Sequence, residues 1–263
     1  MKIIGWFEFL EEALPLDGNH SAITVGVFDG VHRGHRALIE RVVAQAAVPV
    51  VVTFGQGHHK KVLGSGQDYP GSILSFRQKM AAFERLGISI TIVIDFSESF
   101  RRMTGADFLE MLQLQGKMSY LAVGSNFRCG YQLDTDADAI RSLNAQRDIP
   151  TDIVPVLTEG GIQISSSQIR AAIARRDLQT AASMLGCPFT VDLSGSFSGG
   201  VYAIAEQGCI LPPPGRYAVH LIGEKAGQPV KAEILVDSGA IIIGKDLPDR
   251  DVRFEYAEFL PCS

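Results

Sequence analysis

Between residues 23 and 186, short apolar runs alternate with longer segments whose apolar residues recur at helical spacing. Residues 23–28 and 48–54 have the length and β-branched content of strands, and residues 36–47 between them have the periodicity of a helix. The same pattern predicts helices at 73–86, 105–114, 165–176 and 178–185 and strands at 88–96, 120–123 and 153–157. Strands that alternate with helices favour an α/β fold, in which a parallel sheet is covered on both faces.

The pattern changes after residue 187. Short apolar runs at 189–193, 201–205, 217–222, 230–236, 240–243 and 252–259 alternate there with glycine and proline turns, and no helical periodicity is present. Closely spaced strands predict a small antiparallel β-barrel, since closing a sheet removes its exposed edges. The sequence therefore predicts two domains, at residues 1–187 and 188–263.

Composition limits the possible functions. The chain has 263 residues, 46% of them hydrophobic and 20% charged, with a formal net charge of −5. These values exclude a disordered chain and argue against nucleic acid as a partner. No apolar stretch of membrane-spanning length occurs, and three glutamates among the first 12 residues exclude a signal peptide. We expect a cytoplasmic protein with no membrane partner, whose four separated cysteines are free thiols: Cys129, Cys187, Cys209 and Cys262.

The most informative segment is GVFDGVHRGH at residues 26–35, where the first predicted strand passes into the first predicted helix. Ligands of parallel sheets bind at the carboxyl ends of strands, against helix N-termini. Three glycines allow the backbone to approach an anion closely. His32 and His35 are three residues apart, so both imidazoles could face one side and donate to phosphate oxygens. Two histidines near a turn are also compatible with surface polar residues or a helix cap.

A second segment, ISSSQIR at residues 164–170, directly precedes a predicted helix. Ser165 and Gln168 fit a capping box, which alone would explain both residues. Capping does not explain three consecutive hydroxyls followed by Arg170. Hydroxyls, free backbone N–H groups and a guanidinium could together hold the outer phosphates of a nucleotide. The residues themselves leave a cap alone and a cap with an anion site both open.

Metal sites are weakly indicated. A zinc site at His32 and His35 would need two more ligands, for which His58 and His59 are candidates by composition only. The aspartates of residues 134–138 lack the glycine and glutamate of a calcium-binding EF-hand loop, so they indicate a solvated helix start instead.

Three ordered motifs carry a family resemblance. Residues 26–35 resemble the G-x-F-D-G-x-H-x-G-H signature of the nucleotidylyltransferase superfamily, and residues 164–170 look like its I-S-S-[ST]-x-I-R element. Between them, VGSNFRCG at 123–130 is similar to the V-G-x-[DN]-F-x-F-G segment of the prokaryotic FAD synthetases. Residues 107–109 and 211–219 also resemble that family, so the likeness covers most of the chain.

The resemblance implies a Rossmann-like nucleotidylyltransferase domain followed by a riboflavin-kinase-like β-barrel. The activity it implies is transfer of AMP from ATP to FMN, with Mg²⁺, to give FAD and pyrophosphate. The chain departs from the family pattern, because residues 187–263 contain no G-F-P-T-A-N segment and the barrel is short. We therefore expect the riboflavin kinase activity to be absent, leaving a barrel with a structural or flavin-holding role.

The resemblance also implies roles for individual residues. The expected catalytic residues are His32, His35 and Arg170. The expected ATP-binding residues are Gly26, Phe28, Asp29, Gly30, Ser165, Ser166 and Ser167. The expected flavin-binding residues are Gly124, Asn126, Phe127 and Arg128. No metal ligand is indicated. Because residues 55–59 and Cys129 depart from the family pattern, transfer of a nucleotide to another phosphorylated acceptor remains an alternative, as does a non-catalytic flavin- or nucleotide-binding protein.

Overall fold

The computed structural model describes residues 1–55, 71–95, 97–204, 208–223, 228–244 and 253–260. In chain order, the strands are β1 (Lys2–Gly5), β2 (Ser21–Val25), β3 (Val48–Phe54), β4 (Ile90–Ile94), β5 (Met118–Gly124), β6 (Arg128–Cys129), β7 (Thr135–Asp136), β8 (Thr151–Val154), β9 (Thr158–Glu159), β10 (Ile162–Gln163), β11 (Thr190–Asp192), β12 (Ser196–Ser198), β13 (Val201–Ala203), β14 (Gly215–Gly223), β15 (Val230–Asp237), β16 (Ala240–Ile243) and β17 (Phe254–Phe259). The helices are α1 (Trp6–Glu11), α2 (Arg33–Val43), α3 (Phe76–Arg85), α4 (Glu98–Arg102), α5 (Gly105–Leu114), α6 (Ala137–Ala145), α7 (Ser166–Ala174) and α8 (Leu178–Leu185).

The chain forms two compact units. The first comprises the described residues within Met1–Phe28, Gly34–Gln67 and Met80–Leu157, and the second those within Asp29–Arg33, Asp68–Lys79 and Thr158–Ser263. Both units thus draw on the N-terminal half of the chain. A domain boundary at residue 187 stays a prediction.

The first unit contains a six-stranded parallel sheet in the order β1-β4-β3-β2-β5-β8. Its central strand β2 is buried at all five positions, as expected for a strand covered on both faces. The predicted α/β class is confirmed. Strand β1 and helix α1 were not predicted from the sequence. Strand β1 pairs with β4 at the sheet edge, and α1 buries Trp6 and Phe9 in the core.

The second unit contains a seven-stranded antiparallel sheet in the order β11-β17-β14-β15-β16-β13-β12, together with α7 and α8. The predicted change to antiparallel strands after residue 187 is confirmed, and no described residue beyond it is helical. In the described part of the chain, β11 and β12 each pair on one side only. The sheet is a curled half-barrel, which agrees with the predicted small antiparallel β-barrel, and β11 and β12 are its edges among the described residues.

Among the element boundaries that differ from the prediction, those of β2 and α3 have a local cause. Strand β2 ends at Val25 because the backbone turns through positive φ at Phe28 and Gly30. Helix α3 begins at Phe76 because the preceding N–H groups bind side chains: that of Ile73 donates to Asp29 Oδ1 at 2.8 Å, and that of Ser75 to Gln78 Oε1 at 3.0 Å.

Candidate active site

The loop that joins β2 to α2 has a constrained backbone. Phe28 has a φ of 53°, Gly30 of 87° and Val31 of 40°. The left-handed region is unfavourable for phenylalanine and especially for β-branched valine, and such strain is concentrated at functional sites. A Cβ atom at position 30 would lie 3.2 Å from Ile73 Cδ1 and 3.3 Å from Leu185 Cδ2. Glycine is therefore required at position 30 both for its φ and for the close approach of these side chains.

In the second unit, the two main sequence motifs meet at Asp29. Its Oδ2 accepts from Arg170 Nη2, and the two side chains are only 7% and 12% exposed. Ser166 Oγ donates to the backbone carbonyl of Asp29 at 2.8 Å. Residues 29, 166 and 170 therefore form one hydrogen-bonded cluster, although more than 130 positions of the chain separate residue 29 from the other two.

Arg170 has a second fixed contact, because its Nε donates to the carbonyl of Gly71 at 3.0 Å. A guanidinium presents its donors in a rigid plane, so these two contacts determine its orientation. Arg170 thus holds the loop and the segment around Gly71 in one arrangement.

Lys79 is a candidate that the sequence pattern did not reveal. It lies in α3, is 9% exposed, and interacts electrostatically with Asp29. Burial lowers the pKa of Lys79 to about 8, while the negative charge of Asp29 acts in the opposite direction. A buried lysine close to Asp29 adds a second positive charge to the cluster that contains Arg170.

The three serines of the second motif differ in their contacts. Ser165 is the N-cap of α7, and its Oγ accepts from the N–H of Gln168 at 3.3 Å. Ser166 binds the loop, as described above, and Ser167 is exposed. The cap is therefore confirmed, and a direct role of these hydroxyls in phosphate binding stays a prediction.

His32 is buried, with 6% of its surface exposed, and burial lowers its pKa to about 4. At neutral pH the imidazole is uncharged, and a neutral imidazole has only one N–H to donate. The sequence-based expectation that His32 donates to a phosphate therefore applies to a single nitrogen.

The low pKa of His32 predicts a pH-dependent stability. The unfolded chain takes up a proton at the ordinary value of 6.5 and the folded chain only near 4, so protons favour unfolding between these values. When the pH is lowered from 7.5 to 5, we expect the protonation of His32 in the unfolded chain to reduce the free energy of unfolding by about 2 kcal/mol. Urea unfolding of the wild type and of His32→Asn at both pH values measures it. The exposed His20, changed to Asn, is the control, and an equal pH dependence in wild type and His32→Asn would contradict the expectation.

The first unit contains a mainly apolar cavity of about 530 Å³, a size typical of small-molecule sites. Its walls include seven residues singled out from the sequence: Gly26, Phe28, His35, Gly124, Asn126, Phe127 and Arg128. The other lining residues are mostly apolar, among them Leu38, Phe54, Phe100, Met103, Phe108 and Leu133. The cavity thus brings the first motif together with the segment expected to bind flavin.

Aromatic contacts shape this cavity. The imidazole of His35 meets the ring of Phe28 edge-on, with 5.2 Å between ring centroids. Phe28 also contacts Phe83 edge-on at 5.5 Å. Phe127 both lines the cavity and packs against the hydrophobic core. His35 is consequently held by a buried aromatic neighbour at the wall of the cavity.

Cys129 also lines the cavity, at a position where the family pattern has phenylalanine. Burial raises the pKa of its thiol to about 12, so the side chain is a neutral thiol at physiological pH. Among the described residues, Cys129, Cys187 and Cys209 form no disulfide with one another, as expected for thiols, while Cys262 lies outside the described residues.

Within the described ranges, no group of three or more His, Cys, Asp or Glu side chains could hold a metal ion. His58 and His59 lie outside those ranges. Asp136 is the N-cap of α6 and accepts from the N–H of Ala139 at 3.0 Å, which confirms the predicted helix start. None of the described helices has the length and apolar character to span a membrane.

Comparison with known proteins identifies the family. The family model described as FAD synthetase matches residues 15–168, more than half of the chain. The chain belongs to the FAD synthetase family. The predicted family membership and the predicted FAD synthetase function are thereby confirmed.

This chain is similar to relatives of two descriptions. It is 27% identical over 235 residues to the bifunctional riboflavin kinase/FMN adenylyltransferase of Escherichia coli (strain K12), covering 85% of this chain and 74% of the relative. It is 28% identical over 178 residues to the FAD synthetase of Listeria monocytogenes, covering 66% and 72%. The crystal structure of a macrolide-efflux protein from Streptococcus pneumoniae has a TM-score of 0.81 at 21% identity, over 99% of this chain and 90% of that one. That likeness shows a shared fold.

Proposed function

We propose that the cavity of the first unit binds the flavin of FMN and that the chain carries out the adenylyltransferase reaction alone. The observation that supports the flavin site is the lining of the cavity. Residues of the first motif and of the 124–130 segment contribute to the same apolar wall, which suits a flat aromatic ring system with polar groups at its edges.

ATP is proposed to bind at the loop that contains Asp29 and His32. Ser166 and Arg170 donate hydrogen bonds to Asp29 of this loop. Ser166 is also the first residue of α7, so the N-terminus of that helix lies beside the loop. A helix N-terminus and buried cations favour the phosphates of a nucleotide. Arg170 and the buried Lys79 supply that positive charge, with Asp29 holding Arg170 in position.

The chemistry needs little from the protein beyond alignment and charge. The phosphate of FMN attacks the α-phosphorus of ATP, the new P–O bond forms, and the bond to pyrophosphate breaks. A phosphate monoester has its second pKa around 6, so the nucleophile is an anion near pH 7 and no general base is required. In such a transfer, positioning and compensation of negative charge account for the rate. We assign these roles to His32, His35 and Arg170.

Magnesium belongs to this proposal as part of the magnesium–ATP substrate. The described residues contain no cluster of metal-binding side chains. Mg²⁺ characteristically keeps several waters and binds through substrate phosphates, which agrees with delivery by the nucleotide. Its charge would lessen the repulsion between the two phosphorylated substrates.

The proposed absence of riboflavin kinase activity can be tested directly. We expect the purified chain with magnesium-ATP to convert FMN into FAD but to form no FMN or FAD from riboflavin, since residues 187–263 lack the kinase motif. Chromatographic separation of the flavins measures both reactions. Conversion of riboflavin would contradict the loss of kinase activity. Absence of product from FMN would contradict the flavin assignment and favour another phosphorylated acceptor or a non-catalytic binding protein.

A further inference from the structure

Within the second unit, residues 71–79, here called the bridging segment, contact the proposed ATP loop directly. The carbonyl of Gly71 accepts from Arg170, and the N–H of Ile73 donates to Asp29. The side chain of Ile73 also fills the space beside Gly30. The bridging segment therefore determines the position of the carboxylate, the guanidinium and the backbone of the loop.

The other end of the bridging segment is bound to the antiparallel sheet. Arg77 donates to both oxygens of Asp192, from Nε at 3.1 Å and from Nη2 at 2.7 Å. Its Nη1 donates to Glu255 at 3.1 Å, and its guanidinium lies over the ring of Tyr256 at 4.6 Å. Ser75 Oγ donates to Asp192 Oδ2 at 2.5 Å. These partners belong to β11 and β17, so the segment is attached to two paired strands.

Additional hydrogen bonds attach the middle of the bridging segment. The N–H of Ser72 donates to Gly208 and its carbonyl accepts from Ile210, both at 2.9 Å. Gln78 Nε2 donates to the carbonyl of Thr190 at 2.9 Å. Position 71 must be glycine here, because its φ is +102° and a Cβ atom would lie 2.7 Å from the nitrogen of Ile210. The segment is thus held along its length rather than at one contact.

The Arg77–Asp192 pair is the most buried charged contact of this attachment. The Asp192 side chain is 1% exposed. Burial by itself would raise the pKa of Asp192, but hydrogen bonds from Arg77, Ser75 and Ser194 hold that pKa below its ordinary value. The carboxylate is therefore charged at neutral pH. A buried charge of this kind strongly favours the single geometry that satisfies it.

We propose that the antiparallel sheet positions the ATP loop through the bridging segment, with Arg77 and Asp192 as positioning residues for adenylyl transfer. The proposal rests on the assignment of Asp29 and Arg170 to ATP. It gives the sheet a role in the adenylyltransferase reaction that requires no kinase activity of its own.

This arrangement predicts an effect on one substrate only. The bridging segment contacts Asp29, Arg170 and the surroundings of Gly30, whereas none of residues 71–79 is among those that line the flavin cavity. Loosening the segment should therefore weaken the use of ATP and leave the binding of FMN unchanged.

The test uses the full chain with Asp192→Asn, Arg77→Met and the double variant. We expect kcat/KM for ATP to fall about 10- to 100-fold, the size of effect that a small misplacement of a reacting group produces. The Kd for FMN, measured without ATP by flavin fluorescence, should change less than about twofold. The double variant should lose less than the two single variants together, because both changes break the shared Arg77–Asp192 contact.

A matched control separates positioning from general destabilisation. Tyr202 is buried in the same sheet, and its hydroxyl accepts from the N–H of Phe254 at 2.9 Å. Tyr202→Phe removes a buried hydrogen bond without touching the bridging segment, so it should lower the free energy of unfolding but not kcat/KM for ATP. If Arg77→Met does not fold, Ser75→Ala removes a weaker contact to the same carboxylate.

An unchanged kcat/KM for ATP in folded variants would overturn the proposal, as would an equal loss in Tyr202→Phe. A failure of the proposed function would be distinguished by the wild type, which would then form no FAD from FMN. The positioning proposal would also be overturned if FMN affinity fell as much as kcat/KM for ATP, since a general loosening of the chain would explain both changes.

Discussion

Replacing His35 with alanine is expected to lower the rate of FAD formation by at least about 100-fold while the chain remains folded. His35 lies at the wall of the cavity proposed to bind flavin and within the motif proposed to bind phosphate. A preorganised hydrogen-bond donor aimed at developing charge contributes about 10²- to 10³-fold to a rate. The half-buried imidazole should contribute less to stability than a fully buried side chain would, and it contacts Phe28 edge-on.

The measurement is the initial rate with saturating magnesium-ATP and FMN, together with thermal unfolding of the same samples. His20→Ala is the matched control, since His20 is exposed and lies outside both motifs. A His35→Ala variant that is folded and retains near-normal turnover would remove His35 from its assigned role.

The second large effect is expected at Arg170. Arg170→Gln should lower kcat/KM for ATP by about 100-fold or more, because it removes both a cation from the proposed phosphate site and the partner of Asp29. The change should also reduce the free energy of unfolding by about 3–5 kcal/mol, since it leaves the buried carboxylate of Asp29 without its ion pair. Steady-state kinetics and urea unfolding measure the two effects.

Comparison with Asp29→Asn separates the two contributions. In the double variant Asp29→Asn/Arg170→Gln, stability should be partly restored because the carboxylate that lost its guanidinium partner is removed as well, while ATP use should stay low. Arg175→Gln, an exposed arginine just after the same helix, is the control. Recovery of ATP use together with stability in the double variant would show that Arg170 acts only on folding.

Much of the first unit was predictable because its strands are buried on both faces. The sequence predicts the strand at Val48–Phe54 and the helix α5 at Gly105–Leu114 with their observed ends. In the second unit, α8 is likewise predicted at Leu178–Leu185. Strand β1 was missed because it is a short edge strand whose burial alternates little and whose Ile3 is 48% exposed. Its pairing with β4 joins residues that are far apart in sequence, so it cannot be predicted from local periodicity.

The candidate site was predictable where a motif is continuous in sequence. The loop, the serine cap and the cavity segment were all located this way. The resemblance implied a role for Asp29 and for Arg170 but not their ion pair, and Lys79 and the Arg77–Asp192 contact did not follow from any pattern. Both Lys79 and Arg77 sit in the first turn of an ordinary amphipathic helix, and only tertiary packing distinguishes them from solvent-exposed charges. The antiparallel barrel-like sheet was predictable from closely spaced strands, but its edges at β11 and β12 among the described residues were not.

The sequence separation of the site contacts affects synthesis on the ribosome. All residues that line the cavity occur by Leu133, whereas Asp29 meets Arg170 only 141 positions later and Arg77 meets Glu255 only 178 positions later. At translation rates of about 5–20 residues per second, several seconds pass between synthesis of the residues that line the cavity and synthesis of Arg170 and Glu255. The order of synthesis thus allows the cavity of the first unit to form before Asp29 acquires its ion pair with Arg170.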